Sequence, residues 1–493
     1  MRYIVGCDIG TTSVKAVAFT LDGNILASEN ASYSMFHPEP GYAEQDPDTI
    51  FQETCNVLER LVGDIGLRPA GIAFSSAMHS LMALDGTGKP VSPLMIWADN
   101  RSGPLADRLR NSEEGRQQYR RTGIPIHAMT PACKLLWVLQ ETHSPYSGAT
   151  KYTGIKDYVI FRLTGELVTD FSMAAAMGLL NLETLTWDEQ TLSSLKINSE
   201  VLPRIVSPYF SSDIKDTNAG ELLAGIPVIT GGSDGCLANL GSGAMGADTL
   251  ALTIGTSGAV RKTLRFRYLD RHMRTFCYPL DHDMFIVGGP TNNGGVVFQW
   301  LKDTFFADLS LDKMLEGVSG VSPGADGLIF FPYLLGERAP VWDSEARGVF
   351  HGIDIEHTRF HFARAVMEGI LMNLLVIGKV LTEESTASVI YANGGFARSR
   401  VFVQMLADIF GMNVALNVTS DAGCIGAALV GLRALGEIGD FSEAKNFVKV
   451  KETVLFDPEC HEIYLQLFSE FEKLLSGLPL RRTSRPANNF GDF

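Results

Sequence analysis

The stretch VGCDIGTTSVK, residues 5–15, decides the fold of this chain. An apolar run leads into Asp8, a glycine and three hydroxyl residues follow, and a second apolar run extends from Val14 to Phe19. This order predicts a strand, a tight turn and a second strand, with backbone N–H groups and hydroxyls gathered at the turn. Such a cluster of donors suits a phosphate oxyanion. The neighbouring aspartate could hold a divalent metal through water.

A weaker copy of this pattern is LTIGTSG, residues 252–258. It keeps the strand, the glycine and the hydroxyls but lacks the aspartate. At 493 residues, the chain also exceeds what one hydrophobic core usually supports. We therefore expect two related lobes that face one nucleotide, divided as residues 1–243 and 244–493.

Charge and cysteine usage narrow the class of protein. The net charge of −15 argues against a nucleic-acid partner, which needs a basic patch. The basic pair Arg481-Arg482 lies in a polar tail that we expect to fray. The seven scattered cysteines form no CxxC pair, which favours a reducing cytoplasm over a disulfide or metal framework. Neither a signal-peptide pattern nor an uncharged apolar run of about 18 residues occurs, so a membrane association is not expected.

The first half alternates strands and helices. Asp46-Pro47 is typical of a helix start, and residues 71–74 form a buried strand that ends in SSAMHS, residues 75–80. This order indicates an α/β sheet, whose ligands collect at strand ends. SSAMHS and WADNR, residues 97–101, combine aromatic surface with forked hydrogen-bonding groups, as polyol recognition requires. The alternative remains that His79 is a structural hydrogen bonder and that Trp97 fills a core.

Asp234 stands at a second strand end. The strand of residues 228–230 runs into a glycine-rich turn at residues 231–235, which can present one carboxylate at the edge of a sheet. Most aspartates in such turns only shape the turn. The position of Asp234 just before the second lobe favours a catalytic role.

The second lobe has fewer distinctive patterns. We predict a long buried helix from His357 to Val380, and mostly loop over residues 314–338 apart from the apolar residues 328–331. A strand at 388–392 enters an NGGF turn, where glycine lets the backbone approach an adenine or ribose, although an ordinary turn would look the same. A helix of small residues is expected to begin at Asp421 and to pack tightly.

Two longer stretches resemble the FGGY carbohydrate kinases, within the actin/hexokinase/ribonuclease-H-like superfamily. MTPACKLLWVLQE, residues 129–141, is similar to the first family signature. Residues 348–368, with AVME at 365–368, are similar to the second, and the resemblance runs from Ile4 to about Leu435. It implies an α/β fold of two ribonuclease-H-like lobes with an active-site cleft between them, and an enzyme that uses ATP and Mg²⁺.

The resemblance also implies residue roles. Asp8 orders the metal, and Asp234 corresponds to the catalytic base. Glu368 is the nearest rival carboxylate, but its helix has an apolar face that indicates packing. The two glycine–hydroxyl turns are assigned to the phosphates of the nucleotide: the first phosphate turn has Thr11, Thr12 and Lys15, and the second has Gly255, Thr256 and Gly258. Gly295 and Gln299 match positions near the nucleotide, and Gly395, Phe396 and Ser399 match the adenine and ribose site.

The two segments that are predicted to contact the substrate, SSAMHS and WADNR, are called the acceptor segments, and they favour a sugar acid. SSAMHS and WADNR depart from the Gly-Gln-Met-His-Gly and Trp-Asn-Asp forms of xylulokinases and, like GIKDY at residues 154–158, are similar to gluconokinases. The predicted reaction converts gluconate to 6-phosphogluconate. The predicted substrate contacts, with a cation at Arg101 or Lys156 for the carboxylate, are Met78, His79, Asp99, Arg101 and Lys156.

Two alternatives stay open. One is another sugar kinase of this family that acts on a pentulose such as xylulose. The other is a nucleotide-driven interaction protein like actin or the ATPase chaperones, which share the phosphate hairpins but lack the two signatures. A homodimer is left open.

Overall fold

The computed structural model describes residues 2–140, 146, 148–215, 219–383, 385–418 and 421–477. The last residue of the first signature and the Arg481-Arg482 cluster lie outside these residues. The chain forms two compact units: unit 1 comprises Met1–Met245, Thr263–Val287 and Val418–Lys449, and unit 2 comprises Gly246–Lys262, Gly288–Asn417 and Val450–Phe493. The division of the sequence at residue 243, and the cleft between lobes, stay predictions.

Elements up to residue 241 belong to unit 1. The strands are β1 Tyr3–Ile9, β2 Ser13–Thr20, β3 Ile25–Ser32, β4 Glu44–Gln45, β5 Ile72–Ser76, β6 Met82–Leu84, β7 Leu94–Met95, β8 Lys151–Thr153, β9 Val168–Asp170, β10 Leu180–Asn181, β11 Thr186–Trp187, β12 Arg204–Val206, β13 Ser211–Asp213 and β14 Pro227–Ser233. The helices are α1 Pro47–Ile65, α2 Gly103–Arg110, α3 Glu113–Thr122, α4 Pro131–Gln140, α5 Ile155–Thr164, α6 Phe171–Ala176, α7 Glu189–Ser194, α8 Gly220–Leu223 and α9 Asp234–Gly241.

The remaining strands and helices follow residue 241. The strands are β15 Thr249–Ile254, β16 Gly258–Leu264, β17 Phe276–Asp281, β18 Met284–Thr291, β19 Ile329–Phe331, β20 Val349–His351, β21 Val389–Asn393, β22 Asn413–Asn417 and β23 Val450–Val454. The helices are α10 Gly295–Phe305, α11 Leu311–Ser319, α12 Arg359–Thr382, α13 Arg400–Phe410, α14 Ala422–Ala434 and α15 Pro458–Gly477.

The predicted hairpin is present at both places in the chain. In the six-stranded sheet, ordered β13-β14-β5-β1-β2-β3, β1 pairs antiparallel with β2 and parallel with β5. In the seven-stranded sheet, ordered β17-β18-β16-β15-β21-β22-β23, β15 pairs antiparallel with β16 and parallel with β21. Both glycine–hydroxyl turns therefore join the strands of equivalent hairpins, as the two sequence stretches predict.

Local chemistry explains the elements nearest the first turn. The carboxylate of Asp46 accepts from the backbone N–H of Asp48, and Pro47 occupies the first turn of α1, where its missing N–H costs nothing. The apolar face of α1 is buried against the β1-β2-β3 side of the sheet. This helix start is confirmed as predicted.

Helix α14 is the small-residue helix that the sequence predicts. A Cβ on Gly426 would lie 2.0 Å from the carbonyl oxygen of Leu237 in α9, so only glycine permits this approach of the two helices. The helix also packs against β1. Its N-terminal residues are thereby held beside the first phosphate turn.

Two features of unit 2 differ from the sequence-based prediction or add to it. The prediction of mostly loop over residues 314–338 was wrong for residues 314–319, which belong to α11: Ser310 caps this helix, and the buried Met314 and Val318 are spaced for one face. Helix α12 is long and apolar enough to cross a membrane, yet 78% of its most apolar window is buried inside the protein, which is the behaviour of a core helix. Cytoplasmic localisation stays a prediction.

Candidate active site

The first phosphate turn is held by its carbonyl groups. The Tyr33 hydroxyl donates to the Gly10 carbonyl at 2.5 Å, the Gln45 amide to the Thr11 carbonyl at 2.7 Å, and the Tyr33 N–H to the Thr12 carbonyl at 3.1 Å. Within the described part of the chain, no acceptor takes up the backbone N–H groups of Thr11 and Thr12. This arrangement of fixed carbonyls and available N–H groups is what a phosphate oxyanion requires.

Asp8 lies behind this turn with a second carboxylate close to it. Its Oδ1 accepts from the Ser75 hydroxyl at 2.6 Å, and a Cβ on Gly423 would lie 2.9 Å from its Oδ2. Lys15 forms a 2.5 Å ion pair with Asp421, the residue that precedes α14. Burial raises the pKa of Asp8 and nearby Asp421 adds to the rise, while Ser75 and Lys15 oppose it.

The residues around Asp8 fit a magnesium ion that is held largely through water. Mg²⁺ takes oxygen ligands, usually one or two carboxylates together with water and substrate phosphates. Asp8 and Asp421 supply such oxygens next to the phosphate turn, and a nearby cation would favour the ionised form of Asp8. The described residues contain no cluster of three or more metal-ligating side chains, so an ion held by protein groups alone is not indicated.

The second phosphate turn, in unit 2, is braced by the start of α10. The Gly295 N–H donates to the Gly255 carbonyl at 2.7 Å, and the Val296 N–H donates to the Thr256 carbonyl at 3.1 Å. Gly255 and Thr256 are exposed, whereas Gly258 is buried. The predicted residues Gly255, Thr256 and Gly295 are therefore brought together in unit 2.

A buried carboxylate that the sequence analysis missed organises this region. Glu337 is fully buried and accepts from the Thr291 hydroxyl at 2.6 Å and the side-chain amides of Asn293 and Asn373 at 3.2 and 2.8 Å. It also accepts from two backbone N–H groups, of Asn292 and Arg338. Burial raises the pKa of Glu337, and these hydrogen bonds oppose the rise. Glu337 thus fixes residues 291–293, which lead directly into α10.

The other predicted nucleotide residues of unit 2 are Gln299 and the adenine and ribose residues Gly395, Phe396 and Ser399. Gln299 is exposed on α10 and donates to Asp303, Gly395 is exposed with open space at its Cβ position, and Phe396 is nearly buried. The Ser399 hydroxyl caps α13 by accepting from the Phe402 N–H at 3.4 Å. Their role in nucleotide binding stays a prediction.

In unit 1 a cavity of about 10 Å³, large enough for about one water molecule, lies between the acceptor segments and the first phosphate turn. Its lining includes Thr11, Gln45, Met78, Ser80 and Trp97. The Trp97 indole N–H donates to the Thr11 hydroxyl at 3.0 Å, which ties WADNR to the turn. Sequence reasoning missed Gln45 and gave Thr11 to the nucleotide alone.

The remaining predicted acceptor residues are engaged with the protein itself. His79 has a φ of 66°, and its ring nitrogens lie 2.8 Å from the Ala176 carbonyl and 3.2 Å from the Tyr278 hydroxyl. Asp99 is fully buried and accepts from the Ala43 N–H, from the Arg101 N–H and twice from the Arg101 guanidinium. Both residues shape the acceptor segments in this conformation, which favours the structural interpretation that was open for His79.

The Arg101 guanidinium is nearly buried and shared by two carboxylates. It is 4% exposed, lies 3.7 Å from the Tyr42 ring centroid and 5.3 Å from that of Trp137, and contacts Asp99 at 2.7 Å and Glu44 at 2.5 Å. Its charge therefore already balances acidic groups of the protein. Trp137 belongs to the first signature, so that signature helps to hold the acceptor segment.

A second residue of that signature, Lys134, contacts both acceptor segments. Lys134 is fully buried, and its ammonium donates to the carbonyls of His79 at 2.6 Å and Ile96 at 2.5 Å. Burial lowers the pKa of Lys134 to about 7, with Arg101 acting in the same direction and Asp99 and Cys133 opposing. The signature pattern that identified the family marks this lysine, but its contacts could not be read from the sequence.

Lys156 is not placed to contact a substrate. It is fully buried, and its ammonium donates to Asp170 at 2.5 Å and to the Thr230 carbonyl at 2.9 Å. The prediction that it neutralises a substrate carboxylate is therefore corrected: a lone buried cation would be costly, and Asp170 supplies its counter-charge instead.

Asp234 is the first residue of α9. Its backbone follows Ser233, whose hydroxyl caps the helix, and its Oδ1 accepts from the Gly235 N–H at 2.7 Å. The side chain is half-buried, unlike that of Glu368, which is 2% exposed and held by Arg364 and Tyr464. Of these two carboxylates, Asp234 is the accessible one.

Comparison with known protein families decides the identity of this fold. Residues 3–241 match the N-terminal domain of the FGGY family of carbohydrate kinases, and residues 250–435 match its C-terminal domain. This chain belongs to the FGGY family of carbohydrate kinases. The resemblance, the two-domain α/β fold and the activity class predicted from the sequence are thereby confirmed: the protein is an ATP-dependent sugar kinase.

The relatives of this FGGY kinase include both gluconokinases and xylulose kinases. The gluconokinase of Bacillus licheniformis is 39% identical over 465 residues, covering 90% of each chain. The xylulose kinase of Lactococcus lactis is 31% identical over 470 residues, covering 92% of each.

Similar solved structures likewise include a gluconate kinase and a xylulose kinase. A gluconate kinase from Lactobacillus acidophilus has a TM-score of 0.94 at 38% identity, covering 96% of this chain and 98% of its own. A ligand-bound xylulose kinase from the same organism has a TM-score of 0.93 at 38% identity, covering 97% and 99%. These similarities establish the family and its activity as a sugar kinase, but they include both gluconate and xylulose kinases and so do not identify the sugar.

Proposed function

We propose that this FGGY kinase transfers the γ-phosphoryl group of ATP to the terminal hydroxyl of D-gluconate, which gives 6-phospho-D-gluconate. The observation that carries the proposal is the 39% identity to the gluconokinase of Bacillus licheniformis over 90% of both chains, against 31% identity to the xylulose kinase of Lactococcus lactis over 92% of both chains. The gluconokinase-like segments SSAMHS and WADNR support the same acceptor.

The acceptor is proposed to lie beside Met78, Ser80 and Trp97 in unit 1, where the cavity of about 10 Å³ that they line has to widen to admit a sugar. Arg101 contributes by charge: its guanidinium offsets Asp99 and Glu44, which would otherwise repel an anionic sugar acid. Arg101→Met should therefore raise KM for gluconate more than KM for xylulose, because only gluconate carries a carboxylate. An equal rise for both sugars would assign Arg101 a structural role.

The two turns are proposed to hold the ATP phosphates, the first through the N–H groups of Thr11 and Thr12 and the second through Gly255 and Thr256. Phosphoryl transfer asks the protein mainly for positioning and charge stabilisation. Mg²⁺, which Asp8 would hold through water, supplies positive charge to the phosphates when bound. Asp234 is proposed to accept the proton of the terminal hydroxyl as that oxygen attacks the γ-phosphorus.

An ATP-coupled assay of the purified protein tests the acceptor. The panel comprises gluconate, xylulose, ribulose and glycerol, each titrated to give kcat/KM. Gluconate should have the highest value, and the product should be a substrate for 6-phosphogluconate dehydrogenase. Equal or better turnover of xylulose would overturn the acceptor assignment while leaving the kinase activity in place.

Xylulose is the second candidate. The observation that favours it is the Lactobacillus acidophilus structure named as a ligand-bound xylulose kinase, which is 38% identical to this chain. The same assay decides between the two sugars.

A further inference from the structure

The strand that leads to Asp234 contains an irregularity. Strand β14 pairs with β5 through Ile229↔Ala73 and then Gly232↔Ser75, so β14 spends one more residue than its partner over this interval. The extra residue is accommodated at Thr230-Gly231. Gly231 has a φ of 66°, and a Cβ there would lie 1.8 Å from the Phe74 carbonyl oxygen. A bulge of this kind disrupts the ladder locally and re-aims the side chains that follow.

The carbonyl group at this bulge is taken up by Lys156. The Lys156 ammonium donates to the Thr230 carbonyl at 2.9 Å, while the backbone N–H of Thr230 donates to Phe210 and that of Gly231 to Pro208. Buried carbonyl groups need a donor, and here an ammonium from α5 supplies it. The bulge is therefore fixed from both sides.

Asp170 connects the same lysine to the other end of the bulged segment. Its Oδ2 accepts from Lys156 at 2.5 Å, and its Oδ1 accepts from the Ser172 hydroxyl at 2.5 Å. The Ser172 oxygen in turn accepts from the backbone N–H of Ser233 at 2.8 Å. All four residues are fully buried.

This network holds Thr230 and Ser233, which flank Gly231 and Gly232, and Ser233 directly precedes Asp234. The two glycines would otherwise leave the approach to α9 conformationally free. We propose that the buried Lys156–Asp170 ion pair, acting through Ser172, is a positioning element that sets the location of Asp234. The three side chains are fully buried and do not line the cavity beside Met78 and Trp97. This inference rests on the proposed role of Asp234 as the base.

Removing one charge of the pair would leave the other buried and unpaired, which strongly destabilises proteins. The main variant is therefore Ser172→Ala, which removes only the hydroxyl that links Asp170 to Ser233. The second is the neutral double variant Lys156→Met with Asp170→Asn. The matched control is Thr164→Val, which removes a fully buried hydroxyl from the helix of Lys156, where it donates to the Ile160 carbonyl at 2.8 Å.

The measurements are kcat and KM for the best acceptor, with ATP affinity by calorimetry and each variant shown to be folded by circular dichroism. Ser172→Ala should lower kcat about 10- to 100-fold, the scale of a misplaced catalytic group, with both KM values and ATP affinity unchanged. Thr164→Val should keep wild-type kcat. In an Asp234→Asn background, Ser172→Ala should cause no further loss, because the group that it positions is already disabled.

The outcomes separate this inference from the proposed function. Full turnover in Ser172→Ala and in the neutral double variant, with turnover lost in Asp234→Asn, would overturn the positioning role alone. An equal loss from Ser172→Ala in both backgrounds would overturn it as well. Wild-type turnover in Asp234→Asn would overturn the base and the positioning role together.

Discussion

The ammonium group of Lys134 lies 2.6 Å from the carbonyl oxygen of His79, a residue in the left-handed region of backbone space. The same ammonium reaches the Ile96 carbonyl, so one buried lysine spans both proposed acceptor segments. Lys134→Met would leave two buried carbonyls without this donor. It should raise KM for the acceptor roughly tenfold, since lost hydrogen bonds to charged groups cost about 1.5–3 kcal/mol, with ATP affinity unchanged.

Lys262 in unit 2 offers a matched control for that variant. It is also a buried lysine that donates to two carbonyls, those of Ser385 and Thr386 at 3.0 and 2.9 Å. Lys262→Met should lower the free energy of unfolding without changing KM for the acceptor. An unchanged acceptor KM in Lys134→Met would contradict the role of Lys134 in holding the acceptor segments.

The pKa of Lys134 predicts how stability changes with pH. Burial lowers this pKa to about 7 in the folded protein, whereas an unfolded chain keeps the lysine proton to about pH 10. Between these values the unfolded state binds more protons, so this lysine makes the free energy of unfolding rise with pH. The difference in stability between wild type and Lys134→Met should therefore grow from pH 7 to pH 10. Denaturant titrations at several pH values measure it, and a difference independent of pH would be contrary to this prediction.

The phosphate turns give a prediction about ATP. Thr12 and Thr256 are exposed at the two turns, where a bulky apolar side chain would obstruct the approach of phosphate oxygens. Thr12→Leu and Thr256→Leu should each weaken ATP affinity at least roughly tenfold, equivalent to about 1.4 kcal/mol. Titration calorimetry with ATP and Mg²⁺ measures the change, with Thr→Ser at each position as the control. Undiminished affinity in the leucine variants would mean that the turns are structural.

The buried Glu337 carboxylate predicts a more specific effect on the second turn. Its hydrogen bonds come from donors, so Glu337→Gln would place a side-chain NH₂ against at least one of them. Residues 291–293 should then shift. Because they precede α10, whose first residues donate to the Gly255 and Thr256 carbonyls, the second phosphate turn should shift with them. KM for ATP should rise several-fold more than KM for the acceptor. If KM for ATP and KM for the acceptor rise equally, or if neither changes, Glu337 does not hold the second phosphate turn in place.

The fold could be predicted from local patterns because each hairpin carries its own chemistry. Glycine and hydroxyls between two apolar runs mark both turns, and Asp46-Pro47 marks the start of α1. Helix α11 was missed because a short surface helix with two buried residues, Met314 and Val318, gives little periodicity. No element was predicted for α15, Pro458–Gly477, which lies beyond the predicted helix of small residues.

The site was predicted less completely, because charge partners lie far apart in sequence. From the sequence, Lys156 and Arg101 were both predicted to be available to a substrate carboxylate. In the fold, Lys156 is bonded to Asp170 and Thr230, and Arg101 is bonded to Glu44. Glu337 lies in a stretch without a motif, and its side-chain partners, Thr291, Asn293 and Asn373, are more than 30 positions away. Residue type and spacing identified the segments of the site, whereas only the fold shows which polar groups are already satisfied by the protein.

Asp234 is the residue on which the proposed chemistry depends most. The acceptor hydroxyl is a poor nucleophile until a base takes its proton, and Glu368, the rival carboxylate, is buried with Arg364 and Tyr464. The most direct measurement is kcat of folded Asp234→Ala and of the near-isosteric Asp234→Asn, together with their ATP affinity. A fall in kcat of roughly 10²–10⁴ at unchanged ATP affinity is the predicted result. Wild-type turnover in either variant would remove Asp234 from the mechanism and contradict the proposed proton transfer.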